Sequence, residues 1–407
     1  MATGPSGALT GRRVIELADA KGAYCGKLLA DLGADVVLLE PPLGDQGRSR
    51  PPRVGGSSGR EESLSFLYLN TSKRGATLDL QKEEGRALFA RLASGADLVI
   101  EALAPGTLEG LGLGWESLRR ANPRLVLTSI TGFGQTGPHR GFQSSDLVAS
   151  AMSGAMHVTG DEEDPPVRLA GHQAHVAAAS VAAASSLIAL LASSQSGEGQ
   201  HVDISVQEVV ASLSHICGVG KWLDDGIIPK RRGTGLFASV PSGAYACRDG
   251  SVYLMVNRPL HWAALARWVH EVTGNEEILD PMFDGPSSNR LPYRELLDLF
   301  ISDLMTQLSV EEAYREGQGR HIAVTPVQPA AGVTEDPHLA ARGFFEEIDH
   351  PTAGRITYPG APYRHSRTPW RMHRPAPLLG QHNREVYCDE LGLSEAALRA
   401  LQEGGVI

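Results

Sequence analysis

The sequence predicts an α/β protein whose first part is a series of parallel βαβ units and whose middle part is α+β. Short runs of β-branched residues and leucine recur up to Ile130, each about the length of a buried strand. Amphipathic segments separate them, and strand–helix alternation of this kind builds a parallel sheet covered on both faces. A chain of 407 residues is also too long for one ordinary core, which favours two or more domains.

Taken in order, strands are expected at Val14–Leu17, Val36–Leu39, Ala76–Leu80, Leu98–Glu101 and Leu125–Ile130. Helices are expected at Gly26–Leu32, Lys82–Ala93 and Trp115–Ala121, and Glu83–Arg91 has the periodicity of a surface helix. The run Val176–Leu191 is alanine- and serine-rich; it is too short for a membrane span and reads as a buried helix. Gly, Pro and the basic run Lys230-Arg231-Arg232 make Asp224–Thr234 a candidate domain crossing. Beyond it, a strand at Val252–Val256 and a helix at Arg294–Met305 give the α+β pattern. Pro351–Pro377 reads as an extended return, and Ser394–Leu401 as a final helix.

Composition narrows the function classes. Hydrophobic residues at 42% and charged residues at 21% fit a globular chain, not a disordered one. A net charge of −10 argues against nucleic acid as a general partner, because phosphate binding needs a basic excess. Cys25, Cys217, Cys247 and Cys388 form no CxxC pair, so neither a zinc site nor a disulfide framework is implied. The first residues lack the charged-then-apolar order of a signal peptide, so a cytoplasmic protein that does not span a membrane is expected.

Several segments carry a stronger signal together than any carries alone. They include Gly11–Glu16, Cys25–Glu40, Gly44-Asp45 with Arg48, Leu69–Arg74, Ala96–Glu101 with Pro105-Gly106, Thr131–Pro138, Gly199–Asp203 and Pro166–Ala179. Later ones are Asp336-Pro337, His350-Pro351, Ala376-Pro377 and Gly380–His382. In this order they resemble the class III CoA-transferases, a family that includes formyl-CoA and carnitine transferases and α-methylacyl-CoA racemases. The resemblance implies a large Rossmann-like domain whose parallel sheet is built from both chain ends, a smaller α+β domain, and two chains interlocked as a dimer. The corresponding boundaries are 1–225 for the first part of the large domain, 226–342 for the small domain and 343–407 for the return segment.

The resemblance also implies chemistry. Family members move CoA between an acyl-CoA and a carboxylic acid, with an Asp that attacks the thioester to form a mixed anhydride. Aligned from Pro166-Val167-Arg168, that Asp falls on His175, and the last glycine of the pattern falls on Ala179. An imidazole at His175 can act as a general base or form an acyl-imidazole, which leaks to water; alternatively it lines the pocket without reacting. Family racemases place a His just before an Asp that corresponds to Asp146. Ser145 stands there, so a two-base racemase is disfavoured and Asp146 is an auxiliary or structural group.

For CoA binding, Arg48, Lys73 and Arg74 are the candidates for pairing with phosphate oxygens. The plainer alternative makes Lys73-Arg74 a solvated turn. Ala104 and Leu38-Leu39 stand where the family often has basic residues. Gly134 and Gln135 lie in a glycine-rich turn whose amides could approach a thioester oxygen, and His172 is a pocket-wall histidine. No carboxylate spacing near His172 or His201 suggests a metal, so CoA as a substrate thioester, without a metal, is expected. The sum of these features implies an Asp-lacking supporting subunit of a heteromeric CoA-transferase. Its partner is a homologous chain bearing the Asp, or itself as a homodimer. The alternatives are an acyl-CoA-binding relative with a His175-based hydrolase or isomerase/epimerase activity, or a non-catalytic binding protein.

Overall fold

The structure is a computed structural model that describes residues 7–56, 59–214, 218–236 and 239–407. Cys217 and the first six residues, on which the absence of a signal peptide was read, lie outside the described residues. The chain divides into two compact units. One comprises Met1–Ala155, Leu169–Gly220 and Ala340–Ile407; the other comprises Met156–Arg168 and Lys221–Leu339. The expected boundaries 1–225, 226–342 and 343–407 did not foresee that Met156–Arg168 groups with the smaller unit. That loop is held by Arg231, whose guanidinium donates to the carbonyls of Asp161 and Asp164, both at 3.0 Å.

The larger unit is built on six parallel strands: β1 (Arg13–Leu17), β2 (Asp35–Glu40), β3 (Arg74–Thr77), β4 (Leu98–Glu101), β5 (Val126–Thr131) and β6 (His201–Ser205). Their order is β3-β2-β1-β4-β5-β6, the order of a dinucleotide-binding sheet, which reverses between β1 and β4. The third strand lies earlier than the expected Ala76–Leu80. The helices used below are α1 (Ala23–Asp31), α2 (Leu64–Leu69), α3 (Glu83–Ser94), α4 (Thr107–Gly110), α5 (Trp115–Ala121), α6 (Asp146–Met152), α7 (Gln173–Ser196) and α8 (Val206–Leu213). Alternating strand residues face opposite ways. Val14, Val36, Leu98, Ile100, Val126 and Ile130 meet α1, α7 and α8 on one side. Ile15, Val37, Val99 and Leu127 meet α3, α5 and the C-terminal segment on the other.

The sheet is not built from both chain ends, because all six strands precede Val206. The C-terminal segment instead closes the open edge of β3 with side chains. The Gly75 amide donates to Nδ1 of His382 at 3.0 Å, the Thr77 amide donates to Asn383 Oδ1 at 2.8 Å, and the Tyr387 hydroxyl donates to the Thr77 carbonyl at 2.8 Å. An edge strand so satisfied offers no template for pairing with another chain. Two further strands, Phe345–His350 and Gly354–Pro359, form a separate antiparallel hairpin.

Helix α7 has 24 residues, longer than the expected run, and a stretch of it reaches a mean hydropathy of 2.0. Length and composition alone would let it cross a membrane. In this fold Ala178, Ala179, Ala182 and Ala183 pack it into the core, while Val181, Ile188 and Leu191 stay exposed. The smaller unit has a three-stranded antiparallel sheet (Ser242–Ala246, Ser251–Met255 and Ala323–Pro326) and helices Pro259–Thr273, Arg294–Thr306 and Val310–Gly319. Its own core centres on Trp262, Trp268 and Leu297.

Lys73 is fully buried. Its Nζ donates to Glu16 at 2.7 Å, to the Ala23 carbonyl at 2.8 Å and to Asn70 Oδ1 at 2.9 Å. Removing one partner of a buried pair strands the other charge. Lys73→Met is therefore expected to destabilise the chain by about 3–5 kcal/mol in urea unfolding.

Candidate active site

In an open parallel sheet, ligands bind outside the carboxyl ends of the strands where the strand order reverses. Two cavities of the larger unit use the residues that leave β1 at this point, Ala18 and Asp19. One cavity, of about 360 Å³, lies toward Glu40, Asp79 and the start of α4. The other, of about 210 Å³, is mostly apolar, with walls from Tyr24, Leu38, Phe66 and Tyr68 and polar groups from Asp19, Asp45 and Arg50. His172, His175 and Val176 complete it from the N-terminal turn of α7.

The N-terminus of α7 has no side-chain cap of its own, since His172 at the capping position makes no such bond. Asp146, the first residue of α6, serves instead: its Oδ1 accepts the His175 amide at 3.1 Å. A carboxylate at a helix N-terminus satisfies an orphan amide and complements the helix dipole. Asp146, expected as an auxiliary or structural group, caps α7 through this bond; Ser145 in turn caps α6 by accepting the Val148 amide at 3.2 Å. His175 is half-buried, and its Nδ1 is buried with no hydrogen-bond partner. Burial holds its pKa below the usual imidazole range, the Asp146 carboxylate opposing that shift in part. His172 stacks against it, with ring centroids 6.0 Å apart and an interplanar angle of 14°.

The three cations expected to meet CoA phosphates are all engaged inside the fold. Arg48 is 1% exposed and forks onto Glu40 at 2.6 and 2.7 Å, with further bonds to Glu61 and the Pro377 carbonyl. Lys73 is locked to Glu16 as described above. Arg74 grips Asp35 at 2.7 and 2.9 Å and also pairs with Glu390. Neither a phosphate role nor a solvated turn describes Lys73-Arg74, since both side chains are buried among carboxylates. Their sequence neighbours could not show this, because the partners lie as far away as Glu390.

Gly134 and Gln135 do not line the cavity beside His175. Gly134 has φ +85°, which glycine adopts without strain, and the Gln135 amide is already accepted by Asp203 at 2.9 Å. The turn therefore fastens β5 to β6 and does not leave the Gln135 amide for an oxyanion. Gln135 Nε2 lies 3.4 Å from Glu101, whose carboxyl is pushed up to about 7 chiefly by burial. Ala179 is fully buried in the core. Sequence reasoning missed Asp19, Tyr24, Arg50, Phe66 and Tyr68. The signal available for Asp19 was its place directly after a predicted parallel strand.

The depressed pKa of His175 has a thermodynamic consequence. Its folded value lies below the ordinary 6.5, so acid favours the unfolded chain. The stability contribution is full above about pH 6.5 and is lost as pH falls toward the folded pKa. NMR titration should place the His175 midpoint below 6.5, and His175→Gln should flatten the stability profile across that window.

Comparison with known proteins gives the family. The pattern of CoA-transferase family III matches residues 9–383. The chain is 39% identical over 386 residues to the succinyl-CoA:(R)-benzylsuccinate CoA-transferase subunit BbsE of Thauera aromatica, covering 92% of each. It is 36% identical to the succinyl-CoA–D-citramalate CoA-transferase of Chloroflexus aurantiacus, covering 97% of each. Among solved structures it resembles a CAIB/BAIF family protein from Brucella suis, with a TM-score of 0.83 at 28% identity over 95% of this chain and all of that one. On sequence and architecture together, this chain belongs to CoA-transferase family III.

Proposed function

We propose that this chain acts in moving CoA between an acyl-CoA and a carboxylic acid as the Asp-lacking subunit of a heteromer, beside a homologous chain that carries the catalytic aspartate. The observation that carries this reading is His175. Where the family pattern has its nucleophilic Asp, the cavity presents an imidazole with a buried, unbonded Nδ1. The carboxylates nearby are otherwise engaged: Asp146 caps α7, Asp19 accepts the Lys21 amide at 2.9 Å, and Asp45 accepts the Gly47 amide. Carboxylate attack on a thioester needs a positioned, available oxygen.

Three further features support it. Arg48, Lys73 and Arg74 are held by internal carboxylates, and Leu38 presents an apolar wall where a cation would serve CoA. The exposed apolar side chains of α7 suit burial against a second chain, as an interlocked dimer in the cytoplasm would provide. The Thauera aromatica relative is itself named as a subunit. His175-based hydrolysis or isomerisation is the second reading, favoured by the neutral imidazole that burial maintains at the cavity wall.

The purified chain alone is expected to transfer CoA from succinyl-CoA very poorly, and to gain full transfer when co-purified with an Asp-bearing homologue. In that complex His175→Ala should leave kcat nearly unchanged. Robust hydrolysis or isomerisation of an acyl-CoA by the single chain, abolished in His175→Ala, would establish the second reading instead. In the single chain, His175→Asp should permit a covalent aspartyl adduct, detected by mass after exposure to acyl-CoA or trapped with hydroxylamine. The same change is to be made with Ala179→Gly, which costs about 1 kcal/mol of helix stability.

A further inference from the structure

We propose that Asp146, His172 and His175 together bind a divalent ion of the Zn²⁺, Co²⁺ and Ni²⁺ class, at a site open to the cavity beside β1. The expectation of no metal rested on spacing, and spacing is uninformative here because the ligands come from two helices. One donor atom from each residue lies within 4.8 Å of the others. His172 at the N-cap of α7 and His175 in its first turn lie side by side, with ring centroids 6.0 Å apart. Asp146 reaches the same point from the start of α6.

The second observation is independent of proximity. His175 Nδ1 is a buried nitrogen with no hydrogen-bond partner, and such atoms are rare because each costs about 1–3 kcal/mol. A metal ion satisfies a nitrogen lone pair where no donor is present.

Geometry and chemistry agree on the class of ion. Two imidazoles and one carboxylate suit borderline transition metals, whereas calcium and magnesium favour all-oxygen sites. Metal–nitrogen bonds of about 2.0–2.1 Å place tetrahedral ligands about 3.4 Å apart. The donors must therefore close by about an ångström. His172 is exposed, so its side chain can rotate to meet the other two. Three protein ligands leave a further position facing the cavity, and such an ion takes an oxygen there, from water or from the carboxylate of an acid substrate. The proposal concerns metal binding alone and does not depend on which chain carries out CoA transfer.

The test uses the full chain without an affinity tag, stripped with a chelator and titrated with Co²⁺, followed by visible absorption and by Zn²⁺ competition. One equivalent should bind with ligand-field bands of four- or five-coordinate cobalt. His172→Ala should weaken binding by more than the roughly 10–100-fold that loss of an outer-shell partner costs. This variant is the decisive one, since the residue is exposed and the variant's melting temperature should match that of the parent chain. His175→Ala should act likewise, and His338→Ala, at an exposed histidine of the smaller unit, should change nothing. Absence of a one-equivalent site in the wild-type chain, or unchanged affinity in His172→Ala, would overturn the proposal.

Discussion

A single buried ammonium organises the functional end of the larger unit. Lys73 ties Glu16 on β1, the carbonyl of Ala23 on α1 and Asn70 after α2 to one point. Both charges are fully buried, where desolvation costs several kcal/mol per ion and only close, well-aligned partners offset it. Glu16 still leaves Oε2 without a bond, and burial pushes its carboxyl up to about 7 against the pull of Lys73. The backbone of α1 passes directly over this carboxylate. A Cβ at Gly26 would come within 1.7 Å of Glu16 Oε2, so only glycine permits the approach, despite its cost of about 1 kcal/mol inside a helix. The residues that leave β1 beyond this clamp are those that line both cavities.

The same preference for internal neutralisation explains what the site lacks. Glu40 and Glu61 take Arg48, Glu16 takes Lys73, and Asp35 with Glu390 take Arg74. A guanidinium forked onto a buried carboxylate is a strong, oriented interaction, and freeing it for a ligand phosphate would strand its partner. These cations hold β1, β2 and β3 to their surroundings. What remains at the cavity is apolar and aromatic, with Arg50 as its cationic lining residue. Such a surface suits an acyl group better than a polyphosphate.

Helix α7 links the fold to the chemistry. Its alanines pack closely enough to seat it against the sheet, and its first turn carries His172 and His175 to the cavity. Asp146 secures that turn from α6 by accepting the His175 amide. A substitution at His175 therefore acts on a helix terminus already fixed by its neighbour. The C-terminal segment makes a comparable contribution at the far edge of the sheet, where His382, Asn383 and Tyr387 replace the strand that β3 lacks.

The sequence by itself determined β1, β2, β4 and β5 and the helices between them, because apolar period and β-branched runs are local properties of Val14–Leu17, Val36–Leu39 and Leu98–Glu101. It also identified the family, since linear motifs survive without coordinates. Only the tertiary structure decided what the charged residues do. Lys73 and Arg74 read as ligands or solvated groups because their partners, Glu16, Asp35 and Glu390, are distant in the chain and carry no local pattern. The cavity at Asp19 and Tyr24, the capping of α7 by Asp146 and the sealing of β3 by His382 were hidden for the same reason. Each is a contact between segments, and burial, which sets the cost of every unpaired polar group, exists only once those segments have met.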